Sequence, residues 1–215
     1  MSHADRPMRM KAAFIRTFGV AIRTSDARAS AKPPPAAAPF TQAMIGCGQR
    51  RMAITISLIS RSIRRAFNTG TDIDARHDML LGAMYGGMCI ATSSTTAVHA
   101  LSYPLGGRYH IPHGVANAIM LMPVMQFNKS CCSKKFAEVY DAVGGTGAGT
   151  DTEKADWVIN QMDAMVKHLD IPTSLKPYGV TETDLPLLVK AGMDVQRLLV
   201  NNPRTVTAED AEALY

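Results

Sequence analysis

Apolar residues recur at helical spacing soon after residue 53, and basic residues occupy the positions between them. The apolar positions are Ile56, Ile59, Ile63 and Phe67. A spacing of three to four residues is typical of an amphipathic helix that buries one face, with Arg64 and Arg65 on the other side. The turn-forming sequence Asn68–Gly70 is expected to end this helix.

Small and apolar residues dominate the next stretch, Ile73–Ala97, which predicts a long and mostly buried helix. We expect Pro104 to stop it, because proline in a helix interior removes a hydrogen bond. The glycines and prolines that follow are typical of a turn. The apolar run Val115–Val124 then predicts another helix, with His113 in its first turn. Two helices joined by a tight loop are therefore expected.

The later part of the chain also has helical patterns. Thr150 and Glu153 have the spacing of a capping box, which starts a helix. The apolar stripe that follows is Val158, Met162, Met165, Val166 and Leu169. Two more helices are predicted for residues 185–195 and 207–214, and no run of alternating β-branched residues indicates a strand. The sequence therefore predicts an all-α helical bundle for residues 54–215.

The first quarter of the chain differs in charge and composition. Residues 1–53 contain nine basic and two acidic residues, so their net charge is +7, whereas the whole chain carries +5. The Pro- and Ala-rich run Lys32–Pro39 lies in this quarter, and neither of its flanks has a sustained helical or alternating stripe. We expect an irregular or disordered basic extension. Because the basic residues are not spread over a folded surface with aromatic residues, nucleic-acid binding is not expected.

Hydropathy favours a soluble protein. The apolar run Ala118–Met125 is interrupted by Pro123 and is far shorter than the about 20 residues that a membrane span needs. The four cysteines have no CxxC spacing, which is typical of a reducing compartment such as the cytoplasm. A mitochondrial location is the alternative, because the first thirty residues are rich in arginine and poor in acidic residues.

The candidate chemistry lies around the predicted tight loop. His99 is expected to end one helix and His113 to open the next, so the loop could bring both imidazoles to one point. Neutral imidazole is a favoured ligand of divalent transition metals. Gly106 and Gly107 would allow the tight turn. Spacing alone leaves the alternative open that these are two hydrogen-bonded interior or surface histidines, and it favours that alternative.

The order of residues in this segment is a second indication of function. The run from His99 to Asn117, with Pro123 and Phe127-Asn128 after it, resembles the signature of the iron-containing, group III alcohol dehydrogenases. Other segments are similar to the same family in the same order. They are Leu58–Phe67, Ala75–Leu81, Val143-Gly144, Asn202–Arg204 and Thr207–Asp210. The resemblance covers about residues 54–215 and is confined to the C-terminal domain of the family.

The resemblance implies a fold, a reaction and site residues. A family member binds NAD(P) in a Rossmann-like N-terminal domain and a divalent metal, Fe2+ or Zn2+, in an all-helical C-terminal domain. One Asp and three His hold the metal, and His99 and His113 match the last two ligand positions. Tyr103 matches a position near the nicotinamide where some members have histidine, which makes it the catalytic candidate. The alternative interpretation is that Tyr103 is an amphipathic residue at a helix end and has no catalytic role. The implied substrate is a small alcohol or aldehyde.

Two parts of the family pattern are missing from this sequence. No Asp-x-x-x-His motif, which would carry the first two metal ligands, occurs in residues 1–53, and these residues are too few for a dinucleotide-binding domain. The glycine-rich stretch Gly144–Gly149 follows a helical stripe, so it is interpreted as a turn and not as a phosphate loop. His77, His110 and His168 match no ligand position and are expected on loops or surfaces.

Two functions are therefore carried forward. The first is a metal-dependent, NAD(P)-linked alcohol dehydrogenase that is incomplete in this chain. The alternative is a catalytically inactive helical remnant or interaction domain. The unmatched basic N-terminus suggests a shifted reading frame or a gene-model artefact. A helical domain without its partner would also expose an apolar face, which makes a homo-oligomer plausible.

Overall fold

The computed structural model describes the backbone of residues 38–215 and the side chains from Arg51 onward. This part of the chain is helical and contains no strand, so the all-α prediction is confirmed. The α-helices are α1 (Ala38–Asn68), α2 (Ile73–Ser93), α3 (Ala97–Tyr109), α4 (His113–Ala142), α5 (Asp151–His168), α6 (Leu185–Met193), α7 (Gln196–Leu199) and α8 (Ala208–Leu214). Two short 3-10 helices, Lys176–Tyr178 and Glu182–Asp184, precede α6.

The first helix begins earlier than the sequence analysis expected. Helix α1 starts at Ala38, so residues 38–53 are not part of an irregular extension. Pro39 does not prevent this early start. Proline has no backbone N–H, and the N–H groups in the first turn of a helix have no intrahelical acceptor in any case. The prediction of an irregular basic segment for residues 1–37 lies outside the described residues.

Helices α1 and α2 pack against each other as the first layer of the fold. The predicted stripe of α1 is confirmed, since Ile56, Ile59 and Ile63 are buried in the core. Asp72 caps α2 by accepting a hydrogen bond from the amide of Ala75 at 2.9 Å. Charged pairs between the two helices hold the outer edge of this layer.

One of these pairs makes the stability of the first layer depend on pH. Asp78 accepts hydrogen bonds from the Ser62 hydroxyl at 2.8 Å and from Arg61 Nε at 3.0 Å. The Ser62 hydroxyl, followed by the Arg61 guanidinium, lowers the pKa of Asp78 below its ordinary 3.8. Because the pKa is lowered in the folded state, the stabilisation is present above about pH 4 and is lost as the pH falls through the lowered pKa.

We expect Asp78→Asn to lower the free energy of unfolding at pH 7 by about 1 kcal/mol, because the charge opposite Arg61 is lost at a partly exposed site. The difference from the wild type should vanish in acid, where the wild-type carboxyl is also protonated. Urea unfolding at a series of pH values measures it. Glu212→Gln is the control, because Glu212 is exposed and has no ion pair among residues 51–215. A difference that persists in acid would contradict this assignment.

Helix α2 departs from the prediction in two ways. It ends at Ser93, and Ser94 takes the left-handed φ of 60°, so one long helix toward Ala97 is wrong. The four hydroxyl residues 93–96 offer the backbone alternative hydrogen bonds, which favours a break. The outer face of α2 is also not buried. Its large exposed residues are Ile73, Leu80, Met84 and Met88, the first two more than two-thirds exposed.

Helix α3 contains the proline that was expected to stop a helix. Pro104 lies in its interior, and the helix continues to Tyr109. Packing of α3 against α4 and α6 keeps the helix intact although the Pro104 nitrogen has no hydrogen to donate. His110 then ends the helix with φ 53°, and only residues 110–112 link α3 to α4.

Helix α4 is the centre of the domain. It packs against α5 on one side and α3 on the other, and its buried residues run from Val115 to Tyr140. Thr150 and Glu153 form the predicted capping box, and the apolar stripe of α5 is buried as predicted. Among the described helices, none is long and apolar enough to cross a membrane.

The C-terminal helices close the domain around α3 and α4. Asn128 of α4 and Asn202 exchange two hydrogen bonds through their side-chain amides, at 3.0 and 2.8 Å. The Tyr215 hydroxyl donates to the carbonyl of Leu101 at 2.7 Å. Burial raises the pKa of this hydroxyl well above its ordinary value. These contacts join the chain terminus to the helix that carries the candidate site.

Candidate metal centre

Two histidines predicted as metal ligands lie side by side. His99 is the third residue of α3, so the expectation that it ends a helix is wrong, and His113 is the first residue of α4 as predicted. Their ring centroids are 5.5 Å apart and the rings are tilted by 59°. His99 is 4% exposed, whereas His113 is exposed. One imidazole is therefore fixed in the core and the other lies at the surface beside it.

Tyr103 completes a cluster of three rings. It lies one helical turn after His99, and its ring centroid is 6.4 Å from that of His99 and 5.9 Å from that of His113. The side chain is 38% exposed. The structure thus brings together all three residues singled out in the sequence, although their roles as ligands and catalytic group stay predictions.

Two buried polar residues hold His113 in place, and sequence analysis assigned them no role. The side-chain amide of Asn117 donates to the His113 ring, with Nδ2 3.0 Å from Nε2 and 3.4 Å from Nδ1. The Ser102 hydroxyl lies 2.6 Å from Asn117 Oδ1 and 3.0 Å from the carbonyl oxygen of His99, and its single proton can be donated to only one of them. Both residues are 1% exposed. The available signal was positional, because Asn117 follows His113 by one helical turn.

The ring cluster opens into a cleft of about 510 Å³. One wall is the end of α2 with the break that follows it, residues 90–95. Arg197 and Leu198 of α7 also line it. All three rings line the cleft, so the imidazoles border a space large enough for a small molecule.

The two histidines have no third candidate ligand beside them in the described part of the chain. Within residues 51–215, no group of three or more His, Cys, Asp or Glu side chains is arranged to hold an ion. His77, His110 and His168 are exposed, as expected, and none lies in the cleft. Two imidazoles suit a divalent transition metal, but a protein metal site usually has three or four protein ligands. The pair therefore fits an ion only together with further donors.

The glycine-rich stretch between α4 and α5 has no part in this cluster. Gly144 and Gly147 have φ of 79° and 138°, which other residues rarely adopt. A side chain at Gly145 would overlap the ring of Tyr140, with carbon atoms 2.5 Å apart. These glycines serve a close-packed turn, consistent with the interpretation drawn from the sequence.

The comparison with known families decides the relationship. The family described as "Fe-containing alcohol dehydrogenase family, C-terminal" matches residues 37–215. The chain belongs to this family. The family match begins at residue 37 and α1 begins at Ala38, so both place the start of the domain before residue 54.

Named relatives of this alcohol dehydrogenase family align with most of the chain. Long-chain-alcohol dehydrogenase 1 of Geobacillus thermodenitrificans is 35% identical over 161 residues, which are 74% of this chain and 41% of that protein. Lactaldehyde reductase of Escherichia coli K12 is 33% identical over 161 residues, with the same two shares. Among solved structures, alcohol dehydrogenase from Oenococcus oeni is 26% identical with a TM-score of 0.78. That match covers 98% of this chain and 51% of the other.

The chain therefore spans less than half the length of the curated relatives that it matches. Nearly the whole chain corresponds to about half of the solved alcohol dehydrogenase.

Proposed function

We propose that this chain supplies the metal-binding half of an NAD(P)-linked alcohol dehydrogenase, with His99 and His113 as two ligands of Fe2+ or Zn2+. The observation that carries the proposal is the ring pair, 5.5 Å apart, on two helices at one cleft. The relatives named for alcohol and aldehyde chemistry support an alcohol or aldehyde as substrate, and a small one stays a prediction. The remaining ligands and the nicotinamide site would come from outside residues 51–215.

The chain's own residues would act mainly by orientation. With its oxygen turned toward the His113 ring, the Asn117 amide would accept the ring N–H and leave the lone pair of the other ring nitrogen to a metal ion. Hydrogen-bonded partners of this kind usually strengthen metal binding, because they fix the ring before the ion arrives. Burial fixes His99 in the same way.

Tyr103 would contribute a hydroxyl at the cleft beside both rings. A divalent ion at the imidazoles would lower the pKa of a bound alcohol, which could then pass a hydride to NAD(P)+ and its hydroxyl proton to solvent, giving an aldehyde or ketone. Tyr103 can donate a hydrogen bond to the alcohol oxygen and hold it near the rings. It would therefore orient the substrate.

Three further predictions concern assembly, location and the competing function. The exposed apolar stripe of α2 favours a homo-oligomer or another partner that covers it. The cytoplasmic location and its mitochondrial alternative stay predictions. The inactive remnant stays the competing function, and it differs from the proposal by predicting no stoichiometric metal.

Metal binding tests the proposal directly. We expect the purified chain to bind one Zn2+ in isothermal titration, and His113→Ala to lose at least about 1.4 kcal/mol of binding free energy, a tenfold change in Kd. His99→Ala should behave alike. His77→Ala is the matched control, because His77 is exposed on α2 and lies outside the cleft. Equal zinc affinity in the wild type and in both cleft variants would refute the proposed ligands.

The buried partner of His113 gives a second arm of the same experiment. Asn117→Ala should weaken zinc binding by about 10- to 100-fold, because the ring is no longer held. Circular dichroism checks that the helices persist. Alcohol-dependent reduction of NAD(P)+, followed at the nicotinamide absorbance, then tests whether the chain turns over without a second polypeptide. Zinc bound without turnover would favour a metal-binding domain that works only with another polypeptide.

A further inference from the structure

The cleft at the ring cluster carries a positive charge and no negative one. Arg197 lies on its wall, and none of its lining residues is Asp or Glu. Its other polar groups are the three rings and the hydroxyl residues 92–95. In a partly enclosed space, a lone cation attracts an anionic group more strongly than it would in open water.

The guanidinium of Arg197 is available to a ligand. Within residues 51–215 it forms no ion pair and no hydrogen bond, and only its backbone carbonyl is used, by Asn201. Arg61 and Arg65, by contrast, are paired with aspartates at 3.0 and 2.8 Å. A guanidinium presents its donors as a planar fork that matches a carboxylate or another oxyanion.

A nearly buried threonine also lines the cleft, and the Asn201 amide contacts the carbonyl oxygens of both this Thr95 and Arg197, at 3.4 and 2.9 Å. Thr95 is 7% exposed and lines the cleft, and its hydroxyl has no hydrogen-bond partner among the described side chains and backbone. Helix α3 starts two residues later, and Thr96 does not cap it through its side chain. Hydroxyl and amide donors therefore stand at the same end of the cleft as the positive pole of α3.

We propose that the cleft recognises alcohols or aldehydes that carry an anionic group, with Arg197 and Thr95 binding the anion and the histidine pair facing the hydroxyl. This inference rests on the proposed function, because it assigns the substrate class of the same site. The chemistry required is an oxyanion separated by a short carbon chain from the reacting oxygen. Arg197 would act as the specificity-determining residue.

A matched pair of probes tests the inference on the full chain. 4-Hydroxybutanoate carries a carboxylate, whereas 1,4-butanediol has the same chain length and no charge. Nitrogen-15 spectra of the protein, titrated with each compound, report binding without requiring turnover. We expect 4-hydroxybutanoate to bind about tenfold more tightly than the diol, and more weakly as salt is added.

Substitution of the arginine should remove this preference. Arg197→Gln is expected to bind both probes with equal affinity, and Arg197→Lys to keep part of the preference. Arg64→Gln is the control, because Arg64 is exposed, lines a different groove and likewise has no ion pair in the described part of the chain. It should leave the preference unchanged.

The outcomes separate the two proposals. Equal binding of both probes, no binding of either, or a preference that survives Arg197→Gln would each overturn the anion assignment. Zinc binding that is unaffected by His99→Ala and His113→Ala would instead overturn the proposed function. The zinc titration does not involve Arg197, so one proposal can fail while the other stands.

Discussion

Replacing Asn128 by alanine is expected to lower the free energy of unfolding by about 3 kcal/mol. Asn128 and Asn202 are 1% and 9% exposed, and each amide donates to the other's oxygen. Truncation of Asn128 leaves the Asn202 oxygen buried without its donor, and this desolvation cost exceeds the net value of a single hydrogen bond. The pair joins α4 to the loop before α8, so the effect should be global.

Urea unfolding followed by circular dichroism measures the change. Asn160→Ala is the matched control, because Asn160 is an exposed helical asparagine on α5, and its stability should stay within about 0.5 kcal/mol of wild type. The double variant of Asn128 and Asn202 should lose less than the sum of the two single variants, since the partners act as one unit. Strictly additive losses would show that the reciprocal bonds are not the source of the stability.

The two glycines Gly82 and Gly87 are expected to respond in opposite directions to the same substitution. A Cβ at Gly82 would lie 2.7 Å from Ile59 Cγ1, and Ile59 is fully buried between α1 and α2. Gly82→Ala should therefore lose about 2 kcal/mol through overpacking. A Cβ at Gly87 meets nothing within 4 Å, so Gly87→Ala should gain about 0.5–1 kcal/mol from helix propensity.

Thermal and urea unfolding of the two variants check this pair. Both changes have the same effect on intrinsic helix propensity, so the difference between them isolates the contact of α2 with α1. Ile59→Ala removes Cγ1, the atom nearest the new Cβ, so it should cost less stability in the Gly82→Ala background than in the wild type. Equal stability of the two glycine variants would mean that α1 and α2 separate easily in solution.

Some of the fold could be predicted because its signals are local. The capping box of Thr150 and Glu153 and the stripe of α5 follow from spacing alone. The break at Ser94 could not be predicted, because apolar periodicity does not register hydroxyl groups that compete for backbone hydrogen bonds. The prediction that Pro104 stops a helix failed for a related reason. Packing of α3 against α4 and α6 keeps it helical through the proline.

The candidate site likewise contains residues that the sequence could predict and residues that it could not. His99, Tyr103 and His113 lie within one motif, so the sequence brought them to attention together. The role of Asn117 depends on its contacts with Ser102 and with the His113 ring, which only the folded protein brings together. Arg197 lies 84 residues beyond His113, so no sequence spacing predicts that it shares their cleft.

The three-residue link between α3 and α4 has a consequence for how the ring pair forms. His99 and His113 are 14 residues apart, so bringing them together closes a short loop and costs little chain entropy. Contacts of such low sequence separation form early and quickly during folding. The pair is therefore a local property of one helical hairpin, and a short segment containing that hairpin is the natural unit for transplanting half of the site into another scaffold.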